Sequence, residues 1–375
     1  MSAAIEKLGM PKWGLSMTEG RVIEWLVDEG AELDVGTEVA EVETEKINGA
    51  VESPAAGILR RRVAAEGDVV PVGGLLGVIA DASVPDEEID AFVADFQASF
   101  VPGEAEEDAG PAPETVTVEG RSLRFLRSGE GGEPLVLLHG FGGDLNNWLF
   151  NVEPLSGDRA VYALDLPGHG GSAKDVGDGT LAVMVGALRG FLDSQDIARA
   201  HLAGHSMGGL VAATLALEDP DRVLSLTLVD AAGLGEEIDR EYIEGFIEAS
   251  GRRDLKPVLQ RLFADEGLVT RQMVDDVLKY KRLDGVQEAL RAIGGALFAD
   301  GRQRHVLAGD LGAYDGPLLV VWGEQDRVIP AAHAGACPER AQTTVLPGAG
   351  HSPHMEEAGE FNRMMERFLA GARAG

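Results

Sequence analysis

Ala200-His201-Leu202-Ala203-Gly204-His205-Ser206-Met207-Gly208-Gly209 runs from a short apolar strand into a helical stretch that continues to Leu217. The pattern G-x-S-x-G at Gly204–Gly208 sits in the strand–turn–helix context that a nucleophile elbow needs. Small residues on both sides let a sharp turn lift the Ser206 hydroxyl above the sheet. A serine hydroxyl is a weak nucleophile until a base takes its proton, so a histidine and an orienting carboxylate should follow. Both are present in that order. Asp326 follows the apolar run Leu318–Val321, and His351 follows Thr344–Leu346. Each lies just past the carboxyl end of an expected strand, where open α/β sheets place their sites.

Working outward, apolar strands alternate with helical stretches at Leu135–Leu138, Ala160–Leu164, Ala200–Ala203, Leu224–Val229, Pro317–Val321 and Thr344–Leu346. That alternation predicts a mostly parallel sheet with helices on both faces. Helix-rich residues 234–305 interrupt it as an inserted cap. His139-Gly140-Phe141-Gly142-Gly143, after the first of these strands, supplies an oxyanion loop. The backbone N–H groups of Phe141 and Met207 are the expected donors. Asp230 also ends a strand and is a rival for the triad acid; His354 is a rival for the base. His139, His169, His201, His205, His305 and His333 read as structural or surface residues. No histidine–carboxylate cluster has metal-ligand spacing. Taken together, residues 115–375 resemble the α/β-hydrolase family, which implies a helical cap over a serine-centred site.

The first part of the chain is built differently. Residues 20–44 and 57–81 align without a gap at an offset of 37. Gly20, Glu29, Gly30, Val35 and Gly36 meet Gly57, Glu66, Gly67, Val72 and Gly73. Each half reads as strand, turn, strand, and two such halves can close into a small sandwich with quasi-twofold symmetry. Lys46 lies between the halves, in Glu43-Thr44-Glu45-Lys46-Ile47-Asn48-Gly49. The Asn48-Gly49 pair is expected to form the hairpin turn with positive φ, presenting Lys46 for enzymatic modification. With Gly9-Met10-Pro11-Lys12-Trp13-Gly14 and Ser53-Pro54-Ala55-Ala56-Gly57, residues 5–81 resemble a lipoyl domain. The resemblance implies lipoic acid in amide linkage on Lys46. Related biotin domains place methionines beside the lysine, whereas here its neighbours are Glu45 and Ile47.

Domain bounds of 1–81, 82–114 and 115–375 follow. Residues 82–114 hold ten acidic residues and no Lys or Arg, as in a self-repelling linker. Within it, Ile89, Phe92, Val93, Phe96 and Phe100 stand at helical spacing over Asp86–Phe100. That stripe must pack either on its own chain or on another subunit.

Composition narrows the function. The chain has 375 residues, 32 Lys+Arg against 63 Asp+Glu, a net charge of −31, and 45% hydrophobic residues. Such acidity argues against nucleic acid and anionic membranes as partners. A single cysteine, Cys337, excludes an intramolecular disulfide and a cysteine-based metal site. With no leader pattern and no apolar run near about 18 residues, a soluble cytoplasmic protein is expected. The cap carries twelve Lys/Arg against fourteen Asp/Glu. Arg252, Arg253, Lys256, Lys279, Lys281, Arg282, Arg302 and Arg304 are either a solvated helical face or a site for coenzyme A phosphates or an acidic carrier domain.

A lipoyl domain followed by an α/β-hydrolase resembles the acyltransferase components of acetoin dehydrogenase complexes. The resemblance implies acetyl transfer from lipoyl-Lys46 to coenzyme A. It also implies a thiamine-diphosphate-dependent dehydrogenase, a flavin dihydrolipoyl dehydrogenase and a lipoate ligase or transferase as partners, and a homo-oligomer. The His-x-x-x-Asp-Gly motif of the usual acyltransferase components is missing, as is their small subunit-binding domain. Two alternatives stay open: an ester, thioester or carbon–carbon bond hydrolase fused to a lipoyl carrier, and a carrier whose hydrolase domain serves assembly.

Overall fold

A computed structural model describes residues 5–11, 17–44, 48–100 and 112–372. The chain divides into two compact units, one built from the elements up to Ser99 and one from those beginning at Glu114.

The first unit is an all-β lipoyl sandwich. Its strands are β1 (Ile5–Gly9), β2 (Glu19–Trp25), β3 (Glu32–Leu33), β4 (Glu38–Glu43), β5 (Asn48–Glu52), β6 (Gly57–Arg62), β7 (Val69–Pro71) and β8 (Leu75–Ala80). They form two four-stranded sheets, β1-β8-β6-β3 and β5-β4-β2-β7. The internal repeat is visible in the hydrogen bonds. The Gly30 N–H donates to the Leu59 carbonyl at 2.8 Å, and the Gly67 N–H donates to the Val22 carbonyl at 2.7 Å. Each half thus ties its turn to the equivalent strand residue of the other half. Gly30 and Gly67 have φ of 91° and 90°, values that only glycine takes without strain.

Lys46 lies outside the described residues. The strands flanking it pair antiparallel, with Glu43 opposite Asn48 and Val42 opposite Gly49. The expected Asn48-Gly49 turn is therefore corrected. Both residues belong to the β5 ladder, where the pairing with β4 takes up their backbone groups.

The acidic segment after β8 holds α1 (Asp86–Ser99), with Asp86, Glu87 and Glu88 in its first turn, where acids complement the helix dipole. Its apolar stripe packs on its own unit. Ile89 is fully buried in a cluster with Leu75, Val78, Ala80 and Val84, flanked by Phe92, Val93 and Phe96. This explains why β8 is buried at all six positions. Arg60 bonds Asp86 at 2.8 Å and Arg61 bonds Asp90 at 3.0 Å, fixing the helix to β6.

The second unit is an α/β-hydrolase domain. Its strands are β9 (Glu114–Val118), β10 (Arg121–Ser128), β11 (Leu135–Leu138), β12 (Val161–Leu164), β13 (Ala200–His205), β14 (Val223–Val229), β15 (Leu318–Gly323) and β16 (Gln342–Leu346). The sheet order is β16-β15-β14-β13-β11-β12-β10-β9. The strands from β11 onward run parallel, and β9 and β10 add an antiparallel edge. The sequence pattern did not single out these two strands. They alternate apolar with polar residues, as half-exposed strands do.

Outside the cap, the helices are α2 (Leu149–Val152), α3 (Leu181–Ser194), α4 (Met207–Glu218), α9 (Pro353–Glu356) and α10 (Ala358–Ala372). Phe361, Met365, Phe368 and Leu369 of α10 cover one sheet face through Leu137, Ala203 and Val321. Helix α4 is apolar nearly all round, as a helix enclosed by its own fold must be. The cap comprises α5 (Arg240–Glu248), α6 (Arg252–Leu259), α7 (Arg271–Lys281) and α8 (Val286–Leu297). Gln303 closes its base, accepting from Gly233 N–H at 2.6 Å and donating to the Glu237 carbonyl at 2.8 Å.

Candidate active site

Ser206 alone separates strand β13 from helix α4. The chain turns there at φ 51°, ψ −118°, a region that costs a non-glycine residue about 1–3 kcal/mol. Crowding explains the flanking glycines. A Cβ on Gly208 would lie 2.4 Å from the Leu138 carbonyl oxygen, and one on Gly204 would lie 2.3 Å from that of Gly208. The turn is locked by the Ser206 N–H donating to the Val229 carbonyl at 2.9 Å, and by the Ser206 carbonyl accepting from Ala232 at 3.0 Å.

His351 and Asp326 come together from the loops after β16 and β15. His351 Nδ1 donates to Asp326 Oδ2 at 2.8 Å. The other ring nitrogen, Nε2, is buried and has no hydrogen-bond partner among the described residues. The Asp326 carboxylate accepts three further hydrogen bonds. Oδ2 also accepts from Trp322 Nε1 at 3.1 Å, and Oδ1 accepts from Val328 and Ile329 N–H at 2.7 and 3.0 Å. Burial works to raise this carboxyl. The facing His351 ring and these donors outweigh it and hold the group below the ordinary carboxylate value.

His205, beside Ser206, ties the two sides together. Its Nε2 donates to the His351 carbonyl at 2.7 Å. Its ring packs between those of His351 and His354, at 4.8 and 4.6 Å. Burial drives His205 well below its ordinary value and His354 down to about 3. The two are neutral packing partners of His351. His354 stacks at 4.4 Å on Trp148, so this rival for the base is directed away into the core.

The loop of residues 139–143, expected from the sequence to hold the oxyanion, lies over the elbow. A Cβ on Gly140 would be 3.0 Å from the Ser206 Cβ. His139 anchors the loop from below, Nδ1 donating to the Gly140 carbonyl at 2.7 Å and Nε2 accepting from Leu166 N–H at 3.0 Å. The N–H groups of Phe141 and Met207 find no acceptor among the described residues. Sequence reasoning missed Tyr242, on cap helix α5. Its buried hydroxyl donates to the Phe141 carbonyl at 2.9 Å, which fixes a peptide within that loop.

Asp230, the rival acid, is also here. It is fully buried, and Asp230, Asp326 and His351 each place a side-chain polar atom within 4.8 Å of the others. It is Asp326, however, that meets the ring nitrogen. The basic cap residues are mostly committed elsewhere. Arg252 pairs with Asp275, Lys279 with Asp276, Arg302 with Glu236 and Arg304 with Asp300. Lys281 is buried and caps the α5 carbonyls of Phe246 and Ile247. Arg253, Lys256 and Arg282 have no ion pair among the described residues.

Comparison with known proteins adds the family. A model described as alpha/beta hydrolase fold matches residues 133–358, and one described as biotin-requiring enzyme matches residues 6–79. The "Dihydrolipoyllysine-residue acetyltransferase component of acetoin cleaving system" of Cupriavidus necator is 51% identical over 371 residues, 99% of each chain. Its namesake from Pseudomonas putida is 53% identical, over 97% of this chain and 98% of that one. This chain belongs to the family of dihydrolipoyllysine-residue acetyltransferases of acetoin cleaving systems. The acetyltransferase's second unit also resembles a solved meta-cleavage product hydrolase from Pseudomonas fluorescens IP01. The TM-score is 0.63 at 25% identity, over 69% of this chain and 98% of that one. Among the described residues, no helix of the acetyltransferase is long and apolar enough to cross a membrane.

Proposed function

We propose that the chain passes an acetyl group from lipoyl-Lys46 to coenzyme A through an acyl-enzyme on Ser206. The reading rests on one observation above all. A single chain holds both a lipoyl sandwich and a serine elbow beside a histidine whose free Nε2 is buried and whose Nδ1 is held by a carboxylate. In this reading residues 1–81, with α1 packed on them, are the carrier, the rest of 82–114 connects the units, and 115–375 do the chemistry.

The surroundings of Lys46 fit an attached arm. β4 and β5 stay paired up to Glu43 and Asn48, so both ends of the short segment carrying the lysine are fixed. A lipoyl group there would supply the acetyl as a thioester. Ser206 Oγ attacks the thioester carbonyl while His351 Nε2 takes the hydroxyl proton. Asp326 holds the ring through Nδ1 and stabilises the imidazolium. The N–H groups of Phe141 and Met207 receive the developing oxyanion. The carbon–sulfur bond then breaks, His351 returns the proton to the departing thiol, and the acetyl group is left as an ester on Ser206. In the second half His351 takes the proton of the coenzyme A thiol, and the sulfur attacks the ester. Ser206 departs with that proton restored. A thiol ionises far more readily than water and is the better nucleophile, so bound coenzyme A outcompetes hydrolysis. Arg253, Lys256 and Arg282 are among the cap cations available to meet its phosphates.

The reading carries with it the thiamine-diphosphate-dependent dehydrogenase, the flavin dihydrolipoyl dehydrogenase, a lipoate ligase or transferase, and assembly as a homo-oligomer. A second reading, hydrolysis of an ester, thioester or carbon–carbon bond, is favoured by the likeness to the meta-cleavage product hydrolase. Steady-state assay with acetyl-dihydrolipoamide and coenzyme A separates the two. Acetyl-coenzyme A should form, and Ser206→Ala should slow it by about 10³-fold or more. Release of free acetate alone, with coenzyme A present, establishes the hydrolase instead.

A further inference from the structure

Asp230 follows β14 directly, at φ 42°, with its carboxyl group fully buried. One oxygen is accounted for: Oδ1 accepts from the Gly323 N–H at 3.0 Å. The other, Oδ2, receives no hydrogen bond from any donor among the described residues. The Asp230 carboxyl group has a polar atom within 4.8 Å of the Asp326 carboxylate and the His351 ring. Asp326 spends both its oxygens as acceptors, toward His351, Trp322, Val328 and Ile329. Two buried carboxylates side by side repel, and the one with fewer donors keeps its proton. A proton on Asp230 Oδ2 removes both the repulsion and the unpartnered oxygen, because a carboxylic acid can donate to the neighbouring carboxylate.

We propose that Asp230 is a positioning residue, a neutral carboxylic acid whose Oδ2–H donates to Asp326 and limits how strongly that carboxylate attracts the His351 proton. The inference rests on the reading of His351 as the base acting on Ser206. The groups around Asp230 are consistent with a proton there. Asp326 comes from the loop after β15, His351 from the loop after β16, and Glu356 from α9, where it accepts from Ala264, Gly350 and Ser352 N–H. Burial, then the neighbouring Asp326 charge, pushes Asp230 well above the ordinary carboxylate value.

The arrangement makes opposite predictions for a neutral and an ionised Asp230. Removing a neutral donor leaves more charge on Asp326 for the imidazolium to feel. His351 then holds its proton to higher pH, and the acid limb of the pH–rate profile moves up. Removing an anion would move that limb down. Asparagine can copy the protonated carboxyl, with its oxygen toward Gly323 N–H and its amide N–H toward Asp326.

Two measurements on the full-length chain test this. The first is the pH profile of Ser206 acylation by p-nitrophenyl acetate, which needs no coenzyme A. Asp230→Ala should shift the acid limb upward by roughly half a pH unit or more, a several-fold change in proton affinity, and Asp230→Asn should leave it in place. A downward shift in either variant, or no shift in both, overturns the proposal. The second is an infrared difference spectrum at neutral pH, wild type minus Asp230→Asn, which reads the proton without any activity. A protonated-carboxyl C=O band present in wild type and lost in the variant supports the neutral acid; a carboxylate band lost in its place overturns it. If acylation is absent from the wild type but the protonated band is seen, the base assignment fails while the neutral Asp230 stands.

Discussion

A backbone at φ 51°, ψ −118° is a poor place for a serine, and Ser206 is held there by bonds to Val229 and Ala232. Strain of that kind is the cost of presenting Oγ above the sheet. Ser206→Gly should therefore be more stable than Ser206→Ala, by about 1 kcal/mol or more, and equally inactive. Urea denaturation of the two variants measures this; equal midpoints would mean the turn stores no strain. Tyr242→Phe deletes the hydroxyl that holds the Phe141 carbonyl and leaves a buried acceptor unpaired. A loss of about 1–2 kcal/mol in the placement of the oxyanion loop corresponds to roughly a tenfold lower kcat with KM little changed. Stopped-flow acylation would show it, and a change in KM alone would speak against it. The elbow was legible in the sequence because its chemistry is local, five residues between a strand and a helix. Tyr242 was not, since its role exists only once a cap helix about a hundred residues further along the chain folds over the loop. The neighbourhood of Asp230 and Asp326 depends likewise on β14 and β15 pairing in parallel.

At the scale of elements, α1 shows what an amphipathic stripe can and cannot say. Five apolar residues at helical spacing announce a helix but carry no address. The address comes from the outer face of β8 and from Arg60 and Arg61 on β6, which meet Asp86 and Asp90. Ile89→Ala empties the centre of that contact and should destabilise the first unit by about 2–4 kcal/mol while sparing the second. Calorimetry of the full chain should show one transition shifted to lower temperature; two shifted transitions, or none, would contradict this packing. The antiparallel β9 and β10 escaped the sequence pattern because they alternate instead of running apolar, as half-exposed strands do. Lys281 illustrates the opposite error. It counted toward a basic cap surface, yet it lies under Phe246 and caps α5, and burial pulls it down to about 8.

For the molecule as a whole, the second unit encloses several histidines that its fold keeps neutral. Burial lowers His139 to about 4, His169 and His354 to about 3, and His205 well below its ordinary value. As pH falls below about 6.5 the unfolded chain binds protons that these rings refuse, so stability drops on acidification from there toward about pH 4. Asp165, raised to about 6 by burial and by Asp144, acts in the other direction between about pH 6 and 4, as do the raised Asp230, Asp239 and Glu356, whereas the lowered Asp326 and Glu237 act with the rings. The urea midpoint of the second unit should be lower at about pH 5 than at pH 7; a midpoint that is constant or rises would show that the rings are charged when folded. The two-unit architecture itself was readable from two independent signals, a repeat at an offset of 37 and a sheet pattern from about residue 115. The path of the acetyl group between the units is the central claim, and rapid-quench mass spectrometry of the lipoylated chain tests it most directly. After mixing with an acetyl donor and no coenzyme A, the acetyl group should appear on the peptide bearing Lys46 and then on the peptide bearing Ser206. Adding coenzyme A should clear both and release acetyl-coenzyme A. Acetyl-coenzyme A formed without any acetyl on Ser206, and at the wild-type rate in Ser206→Ala, would contradict the account.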